Sequence, residues 1–202
     1  SDLSNREAAK AARDEAKRFR KIAVGELDAA KSRLEAARAN VDLGKSARDD
    51  RTLREAARTE DAARDRLIAA RAKADYADRL VELREAKVDE ADANLTAART
   101  DVAMTKLELV QRHGMAAGAD ASKLAARRQD AQERLAEARQ RVAQMEGDVA
   151  QLKTAWDDRR AETNTASRSE VTAPPPRPMG EVNDTPARPE QKESQQPHNN
   201  IA

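Results

Sequence analysis

Residues 1 to 173 contain no proline, and Leu53, Leu67, Ala74, Val81, Val88, Leu95, Val102 and Leu109 within them fall on one seven-residue period. A strict heptad keeps a narrow apolar edge of a helix turned toward a partner over many turns. The spacing therefore predicts long helices laid side by side. Phe19, Tyr76 and Trp156 are the only aromatic residues, and 37% of the chain is charged. A thick core of large side chains cannot be filled from this composition, whereas helices burying two positions per heptad need mostly methyl groups.

The first predicted helix, residues 2–43, places Ala9, Ala16, Ala23, Ala30 and Ala37 at one seam position. Arg13, Arg20, Leu27, Leu34 and Val41 occupy the other, with Phe19 and Val24 widening the seam. Gly44 is the expected stop, and Ser46 with Asp49 three residues on resembles a capping box for the next helix. That second helix, 50–113, carries the long heptad, alternating with alanines from Ala56 to Ala98. Asp50/Arg54, Glu60/Arg64 and Asp75/Arg79 stand four apart, acid first, each pair contributing ~0.2 to 0.5 kcal/mol. His113, Gly114 and Gly118 end it, and Asp120 or Ser122 is the expected cap of the third helix, 121–163. There Leu124, Ala131, Leu135, Ala138, Val142, Met145, Val149, Leu152 and Trp156 recur at spacings of three and four.

Two short connections make neighbouring helices antiparallel. The chain thus reads as all-α: an elongated antiparallel three-helix coiled coil, up-down-up, over residues 1–167. All three helices should overlap only near the middle of the second, where Tyr76, Leu80 and Leu83 form an additional apolar stripe. Residues 168–202 read as a disordered Pro/Gln-rich tail, since all seven prolines lie from Pro174 onward and large apolar side chains are scarce. Within it Pro174, Pro175, Pro176, Arg177 and Pro178 favour polyproline II and form a candidate docking segment.

Chemistry-bearing patterns are lacking. There is no cysteine, and neither His113 nor His198 follows a glutamate by three residues, as di-iron bundles require. Asp49/Asp50 and Asp157/Asp158 are adjacent acids that diverge on a helix, and the glycines form no phosphate-cradling loop. The expectation is no enzyme, no catalytic, cofactor-binding or metal-binding residues, and no cofactor. Before Pro174 there are 35 basic and 33 acidic residues, a balance that points away from nucleic acid. No apolar run approaches the ~20 residues of a membrane span. Arg6 to Lys21 holds seven basic residues against three acids. Lys17, Arg18, Arg20 and Lys21 around Phe19 are candidate contacts for an anionic membrane surface or envelope polymer. Helix faces left over suggest a protein partner or self-association.

The stretch RLEAARANVDLGKS, Arg33 to Ser46, resembles the coiled-coil hairpins of bacterial membrane-fusion (periplasmic adaptor) proteins, although it lacks the arginine, leucine and serine spacing their tips use. AARAKADYADRLVELREAKVDEADANL, Ala69 to Leu95, resembles the Ala/Arg/Glu-rich helices of coiled-coil cell-envelope lipoproteins of proteobacteria. That likeness implies a periplasmic structural protein or scaffold tied to the outer membrane by lipid on an amino-terminal cysteine that would precede Ser1. The alternative is a cytoplasmic helical scaffold or lipid-surface protein resembling phasins or curved membrane-binding bundles.

Overall fold

A computed structural model describes residues 2–113 and 121–171, with side chains described up to 165. Three helices follow in order: α1 (Asp2–Ala47), α2 (Asp50–Arg112) and α3 (Ala121–Val171), with no strand among the described residues. Ion pairs between helices establish the directions. Arg6 meets Asp92 while Arg38 meets Glu60, and Arg128 meets Asp101 while Arg79 meets Asp148, so both neighbouring pairs are antiparallel. At ~1.5 Å per residue α2, with 63 residues, is on the order of 95 Å long.

The heptads are the packing surfaces. Ala16, Ala23, Ala30, Leu34, Ala37 and Val41 of α1 are buried, as are Ala74, Val81 and Val88 of α2 and Ala131, Val142, Met145 and Val149 of α3. Two clusters form along the rod. Leu34, Ala37 and Ala63 join α1 to α2 with Leu67 against them, and Leu83, Ala86, Val142, Met145 and Val149 join α2 to α3. Tyr76 and Leu80 pack on the second cluster, so the extra stripe is used where it was expected. Among the described residues no polar or charged residue is buried. Val24, assigned to the seam by spacing, is exposed instead.

The α1–α2 turn departs from expectation. α1 does not stop at Gly44 but continues to Ala47, and the Ser46 hydroxyl donates to the Asp42 carbonyl at 2.9 Å within α1 instead of capping α2. Gly44 is buried for a packing reason: a β-carbon there would lie 3.3 Å from the Leu53 Cα. Only Arg48 and Asp49 separate the helices, and Arg48 takes a left-handed φ of 56° to reverse the chain. Asp49 is the N-cap, accepting from the Arg51 amide at 3.0 Å and from the Thr52 hydroxyl. These bonds satisfy amides that the first helical turn leaves open.

α2 ends at Arg112, and the His113 amide donates back to the Leu109 carbonyl at 3.2 Å. Gly114, Gly118 and Asp120 lie outside the described residues. Ser122 lies in the first turn of α3 and is not its cap. α3 runs eight residues beyond the expected end at Thr163, continuing as helix after the apolar period stops. The first four residues of the expected tail, 168–171, belong to α3, and residues 172–202, including Pro174 to Pro178, lie outside the described residues.

α1 and α3 are both seated on α2, yet no Cα of one comes within 8 Å of a Cα of the other. The helical unit is therefore two hairpins sharing their middle helix. Open furrows run between the outer helices, floored by α2.

Candidate functional site: the aromatic junction and the basic flank

Phe19 on α1, Tyr76 on α2 and Trp156 on α3 meet at one level of the rod. The Tyr76 and Trp156 rings stack at 5.4 Å and 18°, while Phe19 stands edge-on to Tyr76 at 5.9 Å and 73° and lies 6.1 Å from Trp156. Large flat side chains span the gap that the alanine seams leave between α1 and α3. Lys73 completes the junction, its ammonium 5.5 Å from the Phe19 centroid and 5.8 Å from that of Trp156. The same Nζ is 2.6 Å from the Glu26 carboxylate, and the lysine side chain is only 17% exposed. Sequence reading overlooked Lys73; the sole clue was that the chain's three rings fall on three different helices. Ala12, Ala16, Phe19, Leu80 and Trp156 help line an adjacent hollow of about 300 Å³. Glu15, Tyr76 and Arg84 complete its lining, and it is open to solvent.

The four cations singled out on α1 divide into two pairs. Lys17 is held 3.0 Å from Glu85, and Arg20 pairs with Asp78, so both face α2 and serve the helix interface. Arg18 and Lys21 are exposed on the outer side, with Ile22 beside them 58% exposed. Asp14, four residues before Arg18, accepts from Arg13 at 2.9 Å.

Elsewhere charge knits the helices together. Arg79 donates to Asp148 across the α2–α3 interface and to Glu82 on its own helix, in preference to Asp75, and these bonds raise its already high pKa. The Lys87 ammonium, 2.6 Å from Glu146, holds that carboxyl below the usual range. Lys153 is raised by its bond to Asp157 at 2.6 Å. Glu60 does meet Arg64 at 2.9 Å, whereas Arg54 donates to the Asp50 backbone carbonyl at 3.0 Å. Exposed pairs of this kind contribute little to stability and mainly fix register.

Among the described residues no group of three His, Cys, Asp or Glu side chains could hold a metal ion. His113 is exposed at the α2 terminus. Among these residues, too, no helix is long and apolar enough to cross a membrane. The fold and surface together define an antiparallel three-helix coiled coil stitched by alanine, ion pairs and one aromatic junction. No family model, curated protein or solved structure matches the chain.

Proposed function

We propose that this chain is a non-enzymatic spacer or scaffold of the bacterial cell envelope, a periplasmic coiled coil whose task is to hold a fixed distance or present its faces to partners. The observation that carries this reading is the alanine-rich seam running through helices of 46, 63 and 51 residues, with no buried polar residue among the described ones. Alanine lets helix axes approach toward the lower end of ~8 to 10 Å, which yields a slender, stiff element. Its charged flanks, paired across the seams, keep it from clumping. The envelope location and the lipid anchor to the outer membrane rest on the likeness of Ala69–Leu95 to envelope lipoprotein helices. Fractionation of the source cells with an antibody to the helical unit tests it. Recovery with the envelope, released by detergent, is expected; recovery in the cytosol overturns the location.

The second reading, a cytoplasmic scaffold that touches lipid surfaces, is favoured by the exposure of Arg18, Lys21 and Ile22 together on one side of α1. Cosedimentation with phosphatidylglycerol vesicles at low salt, lost in the Arg18→Glu/Lys21→Glu variant, supports this reading; no cosedimentation at low salt removes it.

A further inference from the structure

The furrow between α1 and α3 holds a hollow of about 510 Å³ that shares Lys73 and Trp156 with the aromatic junction. Its charged lining comes from all three helices: Glu26 and Arg33 of α1, Arg66 and Lys73 of α2, and Arg160 of α3. Both outer helices run past this level, α1 to Ala47 and α3 to Val171, so the hollow belongs to the packed three-helix region.

The one acid in this lining is already engaged, since Glu26 meets Lys73 at 2.6 Å. Three guanidinium groups are left over. Arg33 and Arg66 each lie seven residues from that ion pair, in opposite senses along antiparallel helices. The register that joins Glu26 to Lys73 therefore sets the two arginines opposite each other across the seam, where like charges repel. None of the guanidinium groups of Arg33, Arg66 and Arg160 has a partner among the described residues. Acids near them in sequence do not supply the missing charge. Asp28, Asp157 and Glu162 are taken by Lys31, Lys153 and Arg159. Glu35, Asp65, Asp75 and Asp158 are exposed and stand outside the lining. A second hollow between the outer helices shows the contrast: Lys87 and Arg139 on its wall meet Glu146 at 2.6 Å and Glu90 at 3.8 Å.

We infer that the hollow at Arg33, Arg66 and Arg160 is a binding site for a small soluble anion bearing two or more phosphate groups. A guanidinium presents a planar fork of N–H donors that matches phosphate oxygens two at a time. Two phosphate groups carry ~3 to 4 negative charges near pH 7, which balances the three cations. Ala29, Ala30, Ala69 and Ala70 line the rest of the hollow and leave room for such a group. Bound there, the anion cancels the repulsion between Arg33 and Arg66 and ties α3 to the α1–α2 hairpin. The inference stands wherever in the cell the rod acts.

Trp156 is the only tryptophan of the chain, so its emission reports on the hollow directly. Titrating the full chain with inorganic pyrophosphate at constant ionic strength should change that emission saturably, with an affinity about tenfold or more above that for inorganic phosphate. Arg33→Gln/Arg66→Gln and, separately, Arg160→Gln should each weaken pyrophosphate binding about tenfold or more. Arg112→Gln/Arg127→Gln, which removes two exposed cations outside the hollow, should leave it unchanged. Without ligand the Arg33→Gln/Arg66→Gln variant should melt no lower than wild type, and pyrophosphate should raise the melting temperature of wild type alone. An emission change that never saturates, or an affinity equal in wild type and the double variant, overturns the inference. A response to cardiolipin vesicles without one to pyrophosphate would place the phosphates on a lipid and overturn it too. Binding that emerges only once Glu170, Glu181, Asp184, Glu190 and Glu193 are changed to their amides would assign the arginines to the chain's own carboxylates, and equally overturns it.

Discussion

Phe19 and Trp156 hold their ring centroids 6.1 Å apart although the helices that carry them never bring Cα atoms within 8 Å of each other. Side-chain size alone closes the distance. Such aromatic pairs contribute ~0.5 to 1.5 kcal/mol beyond the area they bury. A double-mutant cycle of Phe19→Leu and Trp156→Leu, read by urea unfolding, should give a coupling energy in that range. Additive single losses would show that the rings merely neighbour each other.

The glycines divide by environment. A β-carbon at Gly25 or Gly147 meets nothing within 4 Å, while one at Gly44 faces the Leu53 backbone at 3.3 Å. Gly25→Ala and Gly147→Ala should each raise stability by ~0.5 to 1 kcal/mol, the usual gain for an exposed helix interior. Gly44→Ala should forgo that gain, because α2 must move outward to admit the methyl, and Gly44→Val should destabilise. Thermal melts of the four variants decide the matter.

Seam and surface respond differently to charge. Val142 is 7% exposed between α2 and α3, whereas Thr96 on α2 is exposed. Val142→Asp should cost ~2 to 4 kcal/mol for an unpaired carboxylate forced into an apolar contact. Thr96→Asp should stay within ~0.5 kcal/mol, and Leu95→Asp, at the half-covered end of the seam, should fall between. Equal melting midpoints for all three would refute the assignment of faces.

The α1–α2 turn carries a pH dependence. The Thr52 hydroxyl, then the Arg51 amide, hold the Asp49 carboxyl below its ordinary value of 3.8. A carboxyl depressed in the folded state stabilises it fully above the unfolded value and loses that contribution as pH falls through the folded one. The melting difference between wild type and Asp49→Asn, which caps without titrating, should be constant above pH ~5 and shrink below pH ~4. A difference that stays flat to pH 2 would mean the cap does not titrate in this window.

The fold was legible because alanine and leucine at seven-residue spacing have one physical use. Ala16, Ala23, Ala30 and Ala37, and Val142, Met145 and Val149, are buried as their spacing demands. Helix ends were less legible. Gly44 looks like a stop to local rules, but close contact with Leu53 gives a glycine there another purpose, and α3 outlasts its apolar period since a helix needs no seam to persist. The aromatic junction was invisible because residues 19, 76 and 156 become neighbours only once the register of both hairpins is known. The basic flank misled for a similar reason: Lys17 and Arg20 look free in one dimension, and the acids that engage them lie on another helix.

Since α1 and α3 bring no Cα atoms within 8 Å of each other, each owes most of its seat to α2, with the Phe19–Trp156 pair as a link between them. Stripping α3 away leaves Leu34, Ala37 and Ala63 clasped as before, and stripping α1 leaves Val142 and Met145 in place. The two hairpins should therefore open as separate cooperative units joined by one aromatic link, and amide exchange at Ala37 and Val142 would time them separately.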